Sequence, residues 1–148
     1  NLSGSSGLYL LAFVSGLTDV DAISISMLRL FDQGKLTPDV TVVVVTWEQR
    51  ELTLAALDSI AAQTIPHRVL LVDNASTDDT ADYLAARPFT VPHTVKRLAE
   101  NTGGAGGFAA GIDLAYGLGF DAFWVMDDDS VCRPSALAPL LRDLEDVA

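Results

Sequence analysis

Cysteine and histidine are almost missing from this 148-residue chain, with one and two copies. A single cysteine excludes an internal disulfide framework and a cysteine-based zinc site, and it accords with a reducing compartment. Basic residues are scarce as well: 9 Lys and Arg stand against 20 Asp and Glu, for a formal net charge of −11. Proteins that track a phosphate backbone need a basic face, so nucleic acid is excluded as a general partner. There is no internal repeat and no low-complexity tract. Leu8 to Leu17 is almost continuously apolar, yet it falls short of the roughly 20 residues that a spanning helix needs. No basic region precedes it, so it is not a signal peptide.

What is present is apolar material for a core, at 49% of the residues, in a length that suits one domain or part of a larger one. Charge divides the chain. Residues 1–37 hold two basic and three acidic residues, and residues 38–148 hold seven and seventeen. We read these as two segments. The first reads as an apolar helical segment, either an amphipathic helix covering a core or a longer helix over residues 8–31. The longer helix would carry Asp19, Asp21 and Arg29, charges that are costly inside a membrane and usually mark function there. The chain begins at Asn1 rather than Met and ends at Ala148 within an expected helix. The expectation is therefore of a fragment.

Residues 38–148 alternate between two periods. Thr41-Val42-Val43-Val44-Val45-Thr46, Val69-Leu70-Leu71-Val72 and Ala122-Phe123-Trp124-Val125-Met126 are continuous apolar or β-branched runs, as in strands buried on both faces of a parallel sheet. Helical spacing follows each. Glu51 to Gln63 places Leu52, Ala56 and Ile60 on one face. A second helix opens near Ser76 and Asp79 and stops before Pro88. Val91 to Leu98 reads as extended, Gly103 to Gly107 as a glycine loop, and Phe108 to Leu118 as the helix behind it. Pro134 suits the first position of a last helix, with Leu137, Leu140, Leu141 and Leu144 on one face. The order β-α-β-α-β-α-β-α predicts an α/β fold, a mostly parallel sheet with helices on both faces. Ligands of such sheets bind outside the carboxyl ends of the strands. Thr46, Asp73 and Asp127 to Asp129 all stand at such ends.

Three stretches carry the candidate chemistry. Asp127-Asp128-Asp129 follows a buried strand. Adjacent carboxylates repel, and on an extended backbone the first and third share a side. That pair suits a hard divalent cation with positions left for phosphate oxygens; the alternative is a solvated acidic turn. Asn101-Thr102-Gly103-Gly104-Ala105-Gly106-Gly107 allows close backbone approach to an anion at a helix start; the alternative is a flexible loop. It is neither a dinucleotide fingerprint, which follows the first strand, nor a P-loop, since no Gly-Lys-Ser/Thr closes it. Asp73-Asn74 offers an acceptor to a base N–H or ribose hydroxyl, or simply a turn that starts the next helix. His67 and His93 read as surface residues and Cys132 as a reduced spectator. Trp47 and Trp124 read as core or crevice wall. No Ser/His/Asp or Cys/His constellation is visible.

As an ordered set, these stretches resemble the first half of a family-two inverting glycosyltransferase of the GT-A fold. The strings are Val42-Val43-Val44-Val45-Thr46, Val72-Asp73-Asn74-Ala75-Ser76-Thr77-Asp78, Asn101 to Phe108, and Trp124 to Asp129. The glycine loop followed by a triple-Asp motif looks most like the galactofuranosyl- and rhamnosyl-transferase branch, which works on bacterial cell-envelope glycans. The resemblance implies a nucleotide-diphospho-sugar donor, UDP-galactofuranose or dTDP-rhamnose, and a glycan or lipid-linked glycan acceptor. It implies Mn2+ or Mg2+ on Asp127 and Asp129, with Asp128 facing the donor sugar or ribose. Thr46 would line the nucleobase pocket and Asp73 would hydrogen-bond the base. Asn101, Gly103 and Gly104 would border the ribose and diphosphate. The family's general base lies well after the triple-Asp motif, so it is expected beyond residue 148.

In the first segment, Gly7-Leu8-Tyr9-Leu10 and Gly16-Leu17-Thr18-Asp19-Val20-Asp21-Ala22-Ile23-Ser24 resemble part of a family of polytopic bacterial inner-membrane proteins, similar to relatives of magnesium-transport accessory proteins. The resemblances together imply a cytoplasmic location, at the inner face of the plasma membrane if residues 8–31 associate with it. Two competing readings remain: a non-catalytic nucleotide-sugar-binding or partner-docking module, and a nucleotidyltransferase. The latter usually carries a glycine-rich basic turn after its first strand. Here that turn is Thr46-Trp47-Glu48-Gln49-Arg50.

Overall fold

The computed structural model describes residues 10–13, 26–29 and 39–146. Six strands form one sheet: β1 (Leu10–Phe13), β2 (Ser26–Arg29), β3 (Val40–Thr46), β4 (Arg68–Asp73), β5 (His93–Arg97) and β6 (Ala122–Asp127). Their order is β1-β2-β6-β3-β4-β5. β6, β3, β4 and β5 run parallel, and β2 runs antiparallel to both of its neighbours, β6 and β1. Helices α1 (Arg50–Ala61), α2 (Thr80–Ala86), α3 (Gly103–Gly117) and α4 (Leu137–Asp146) alternate with the parallel strands. The expected α/β order is observed.

Period-two alternation sorts the strands into two buried faces. Val42, Val44, Leu71, Trp124 and Met126 meet Leu57 and Ile60 of α1, Leu84 of α2 and Leu137 of α4. Val43, Leu70 and Phe123 meet Ala115 of α3 on the other face. After β5 the chain crosses back and places β6 beside β3. The sheet's topological switch point therefore lies between β3 and β6, where such sheets open a crevice.

Sequence and structure part in four places. The glycine tract is not a loop but the first turns of α3. The reason is close packing: a Cβ on Gly107 would stand 2.5 Å from Val45 Cγ1, and one on Gly111 would overlap Val43 Cγ1 and lie 3.1 Å from Val72 Cγ2. The helix can approach the strand only without those atoms. On α1 the buried stripe is Thr53, Ala56, Leu57 and Ile60, and Leu52 is exposed. Thr53 can be buried because its hydroxyl is bonded to Gln49 O at 2.8 Å and shares a hydrogen bond with Thr46. Pro134 precedes α4, in a turn where Ala136 N donates to Arg133 O at 3.0 Å.

The fourth difference concerns the first segment. Its described residues are extended, not helical: β1 pairs with β2, and β2 pairs with β6. Backbone groups on that edge of β6 would otherwise lack partners within the sheet, which favours an added strand. The remainder of residues 8–31, and with it the Gly16–Ser24 string, lies outside the described residues. Among the described residues, no helix is long and apolar enough to cross a membrane.

Val43 and Val72 are fully buried, so they have little room to yield. Gly111→Ala should lower stability by about 1–3 kcal/mol through overpacking. A Cβ on Gly104 meets nothing within 4 Å, so Gly104→Ala should be neutral or stabilising by about 0.5 kcal/mol. Chemical denaturation of both variants checks the pair; equal midpoints would contradict the close-packing account.

Candidate functional site

A crevice of about 330 Å³ opens where β3 and β6 end. β3 delivers Thr46, whose hydroxyl shares a 2.7 Å hydrogen bond with Thr53 at the start of α1. The chain then turns sharply through Glu48, in the left-handed region at φ 55. A non-glycine residue persists there only when its surroundings hold it. Here Glu48 N donates to Ser76 Oγ at 2.9 Å, and Glu48 Oε1 accepts from Thr77 Oγ1 at 2.6 Å. The turns after β3 and β4 are thereby tied together. Trp47 is left 48% exposed at the crevice wall, as Gln49 is beside it.

β4 brings Asp73 level with Thr46, but Asp73 does not line the crevice. It is fully buried and already engaged. Its carboxylate accepts from the Ser76 hydroxyl and backbone N–H, and Arg97 Nε lies 3.4 Å away. Arg97 Nη2 also donates to Ser76 O at 2.6 Å. The expected base contact would have to displace or extend this network.

The next residue, Asn74, does reach the crevice. Its amide bonds to Asn101, Thr102 and Gly103 at the start of α3. Asn101, Gly103 and Gly104 line the same wall, with Phe108 one turn further along the helix. A Cβ on Gly103 or Gly104 would meet no atom within 4 Å, so the backbone stands open there.

β6 ends at Asp127, and Asp128 and Asp129 sit in a turn where Ser130 N donates to Asp127 O at 3.3 Å. Strand alternation stops at that turn. In consequence Asp127 and Asp128 line the crevice, while the exposed Asp129 stands outside it. Burial pushes the Asp127 carboxyl above the usual carboxylate range, and the charge of Asp129 adds to this. Burial also raises Asp128; hydrogen bonds from the Thr46 hydroxyl and the Trp47 N–H oppose the shift, and Asp129 reinforces it. Among the described residues, no three His, Cys, Asp or Glu side chains converge as a ready-made cation site.

Thr46, Asn101, Gly103, Gly104, Asp127 and Asp128 therefore meet, and Asp73 and Asp129 stand apart from them. Val45, Gln49, Asn74 and Phe108 line the crevice as well, and the sequence reading did not single them out as ligand contacts. Asn74 was detectable as the neighbour of Asp73; Phe108 becomes so only once the helix is known to begin at Gly103. His67 and His93 lie away from this crevice, and Trp124 is core. Cys132 is buried beside Ser59 and Gln63, and burial raises its thiol pKa.

The model of the family described as Glycosyl transferase family 2 matches residues 41–147. The chain belongs to glycosyl transferase family 2. A second family model, Domain of unknown function (DUF4010), matches residues 1–48 and so overlaps the start of the first match. The Galactofuranosyltransferase GlfT1 of Mycolicibacterium smegmatis is 39% identical over 100 residues, which is 67% of this chain and 32% of that protein. The protein of the same name from Mycobacterium tuberculosis is 36% identical over 114 residues, covering 74% of this chain and 37% of its own length. This family 2 chain thus spans well under half the length of these relatives.

Solved structures agree on the fold. S. aureus TarS in complex with UDP superposes with a TM-score of 0.64 at 21% identity, covering 73% of this chain and 32% of that one. The mannosyltransferase PcManGT from Pyrobaculum calidifontis, in complex with GDP-Man and Mn2+, gives a TM-score of 0.50 at 26% identity, covering 64% and 30%. The GT-A fold implied by the family resemblance is the one observed.

Because the folded Asp127 carboxyl is held above its ordinary range, the folded protein binds that proton more tightly than the unfolded chain. The ionised carboxylate thus weighs against folding at neutral pH, and the penalty fades as pH falls through the folded value toward the ordinary one. Asp127→Asn should raise the melting temperature at neutral pH, with the gain shrinking as pH drops into the carboxylate range. A melting series against pH checks this; a gain that grows on acidification would contradict it.

Proposed function

We propose that this chain carries the donor-binding half of an inverting, metal-dependent glycosyltransferase acting on a cell-envelope glycan. The observation that carries the reading is the meeting of Thr46, Asn101, Gly103, Gly104, Asp127 and Asp128 in one crevice at the sheet's switch point. UDP-galactofuranose is the preferred donor, ahead of dTDP-rhamnose, because the relatives of 39% and 36% identity are named galactofuranosyltransferases. The reaction would run at the cytoplasmic face of the plasma membrane, where nucleotide sugars are available.

In this reading Thr46 and the Trp47 turn border the nucleobase. Asp73 acts from beneath, directly on the base or through Ser76 and Arg97. Asn101 and the open backbone of Gly103 and Gly104 face the ribose and diphosphate, and Asp128 faces the sugar. The helix start behind those glycines favours negative charge. The acidic end of β6 does not, and this disparity calls for a cation. The Asp127 carboxylate on the crevice wall, kept from ionising freely by burial and by the charge of the neighbouring Asp129, is a hard oxygen donor that fits Mn2+ or Mg2+ better than bare solvent. Asp127 would hold the ion with Asp129 beside it. When bound, the cation would offset charge on the leaving diphosphate. The acceptor hydroxyl forms the new bond to the anomeric carbon as the carbon–oxygen bond to the diphosphate breaks, and its proton passes to a general base.

Calorimetric titration of the whole chain with UDP, dTDP and GDP, each with and without Mn2+, tests the reading. UDP should bind only with metal, and Asp127→Ala should weaken that binding by more than about tenfold. Unchanged binding by Asp127→Ala would remove the metal assignment. A cooperatively folded sample that binds none of the three would favour the docking-module account.

A further inference from the structure

Asn74 lines the crevice, yet it has nothing left to offer a ligand. A side-chain amide can accept two hydrogen bonds and donate two. All four positions on Asn74 are taken within the protein. Its Oδ1 accepts from Thr102 N at 3.0 Å and from Thr102 Oγ1 at 3.1 Å. Its Nδ2 donates to Asn101 Oδ1 at 3.0 Å and to Gly103 O at 3.0 Å. The residue is 3% exposed. Three consecutive residues at the start of α3 hang from this one amide at the end of β4.

The helix start has few other supports. Thr102 occupies the N-cap position but makes no side-chain cap hydrogen bond, and the first turn holds no acidic residue. The Thr102 hydroxyl is spent on Asn74 instead. A turn opened by Gly103 and Gly104 loses much backbone entropy on ordering, so unaided it would fray. From the helix side, Gly106 completes the arrangement. A Cβ there would overlap Thr102 Oγ1 and stand 2.5 Å from Thr102 Cβ. Thr102 thus folds back into the space that Gly106 leaves empty. Asn101 is fixed by the same network. Its Oδ1 accepts from Asn74 Nδ2 and from Gly103 N at 2.8 Å. Both acceptor places are used, which settles which way the amide faces and leaves its Nδ2 donors for the crevice.

We propose that Asn74 is a positioning residue: with Thr102 and Gly106 it latches the first turn of α3 to the end of β4. The latch holds the Asn101 amide and the Gly103–Gly104 backbone in binding geometry before a ligand arrives, which reduces the ordering cost of binding. The latch rests on geometry alone. Its consequence for affinity rests on the donor-binding reading above.

Residue-resolved hydrogen exchange on the whole chain without nucleotide tests the latch, and titration with UDP and Mn2+ tests its consequence. In Asn74→Ala and in Gly106→Ala, exchange at the Thr102 and Gly103 amides should speed by at least about tenfold, while Val43 and Leu71 in the sheet keep their protection. UDP affinity should fall by a similar factor in both variants. If Asn74→Ala fails to fold, Gly106→Ala and Thr102→Val, which leave β4 intact, carry the same comparison. Exchange at Thr102 and Gly103 within twofold of the unsubstituted chain would overturn the latch. Faster exchange with unchanged UDP affinity would overturn the positioning role. Should the unsubstituted chain bind no UDP, the donor reading falls, and the latch stands or falls on the exchange result.

Discussion

Gly107 and Gly111 let α3 settle so near β3 that Val45 and Val43 fill the places where their Cβ atoms would be. That contact sets the height of the helix above the sheet, and so decides where its first turn ends up. Placed there, Asn101, Gly103 and Gly104 come within reach of the ends of β3 and β6. A helix standing one side chain higher would leave the crevice without a wall. Burial of Val43, Leu70 and Phe123 depends on the same approach, because Ala115 and its neighbours on α3 cover them. Packing and site geometry are therefore one constraint.

Hydrogen bonds then join separate turns into a frame. Glu48 ties the β3 turn to Ser76 and Thr77. Asp73 and Arg97 brace Ser76 from below, and Asn74 carries the start of α3. Each bond is modest by itself, on the order of 1 kcal/mol net. Their value lies in joining four chain segments that local propensity alone would not align. The left-handed residues Glu48 and Ala75 both fall inside this frame, where surrounding contacts can sustain backbone conformations that non-glycine residues rarely adopt.

Charge constrains the crevice as well. A chain with a formal net charge of −11 is a poor host for an anionic diphosphate unless positive potential is supplied locally. The α3 start offers a partial positive charge, and in the proposed reading a cation held by Asp127, with Asp129 beside it, would supply the rest. The raised pKa values of Asp127 and Asp128 come first from burial, and the charge of Asp129 adds to both.

Much of this was legible along the chain. Buried strands announce themselves as β-branched and apolar runs, and alternation with helices follows from period and punctuation, because these are local properties of covalent neighbours. The parallel sheet and the placing of Thr46 and Asp127 at strand ends came from such reading, and the family from the resemblance of the ordered motifs. Relations between distant segments did not. Only the tertiary structure decided that β6 lies beside β3 and that Asp128 rather than Asp129 shares the crevice with Asp127. It likewise withdrew Asp73 beneath the surface and spent every hydrogen bond of Asn74 inside the protein. It also turned a glycine loop into a helix, because what those glycines lack matters only against the valines of a strand more than fifty residues earlier. Local periodicity settles what each segment becomes. Register, turns and close approach settle which atoms meet, and these exist only once the segments are packed together.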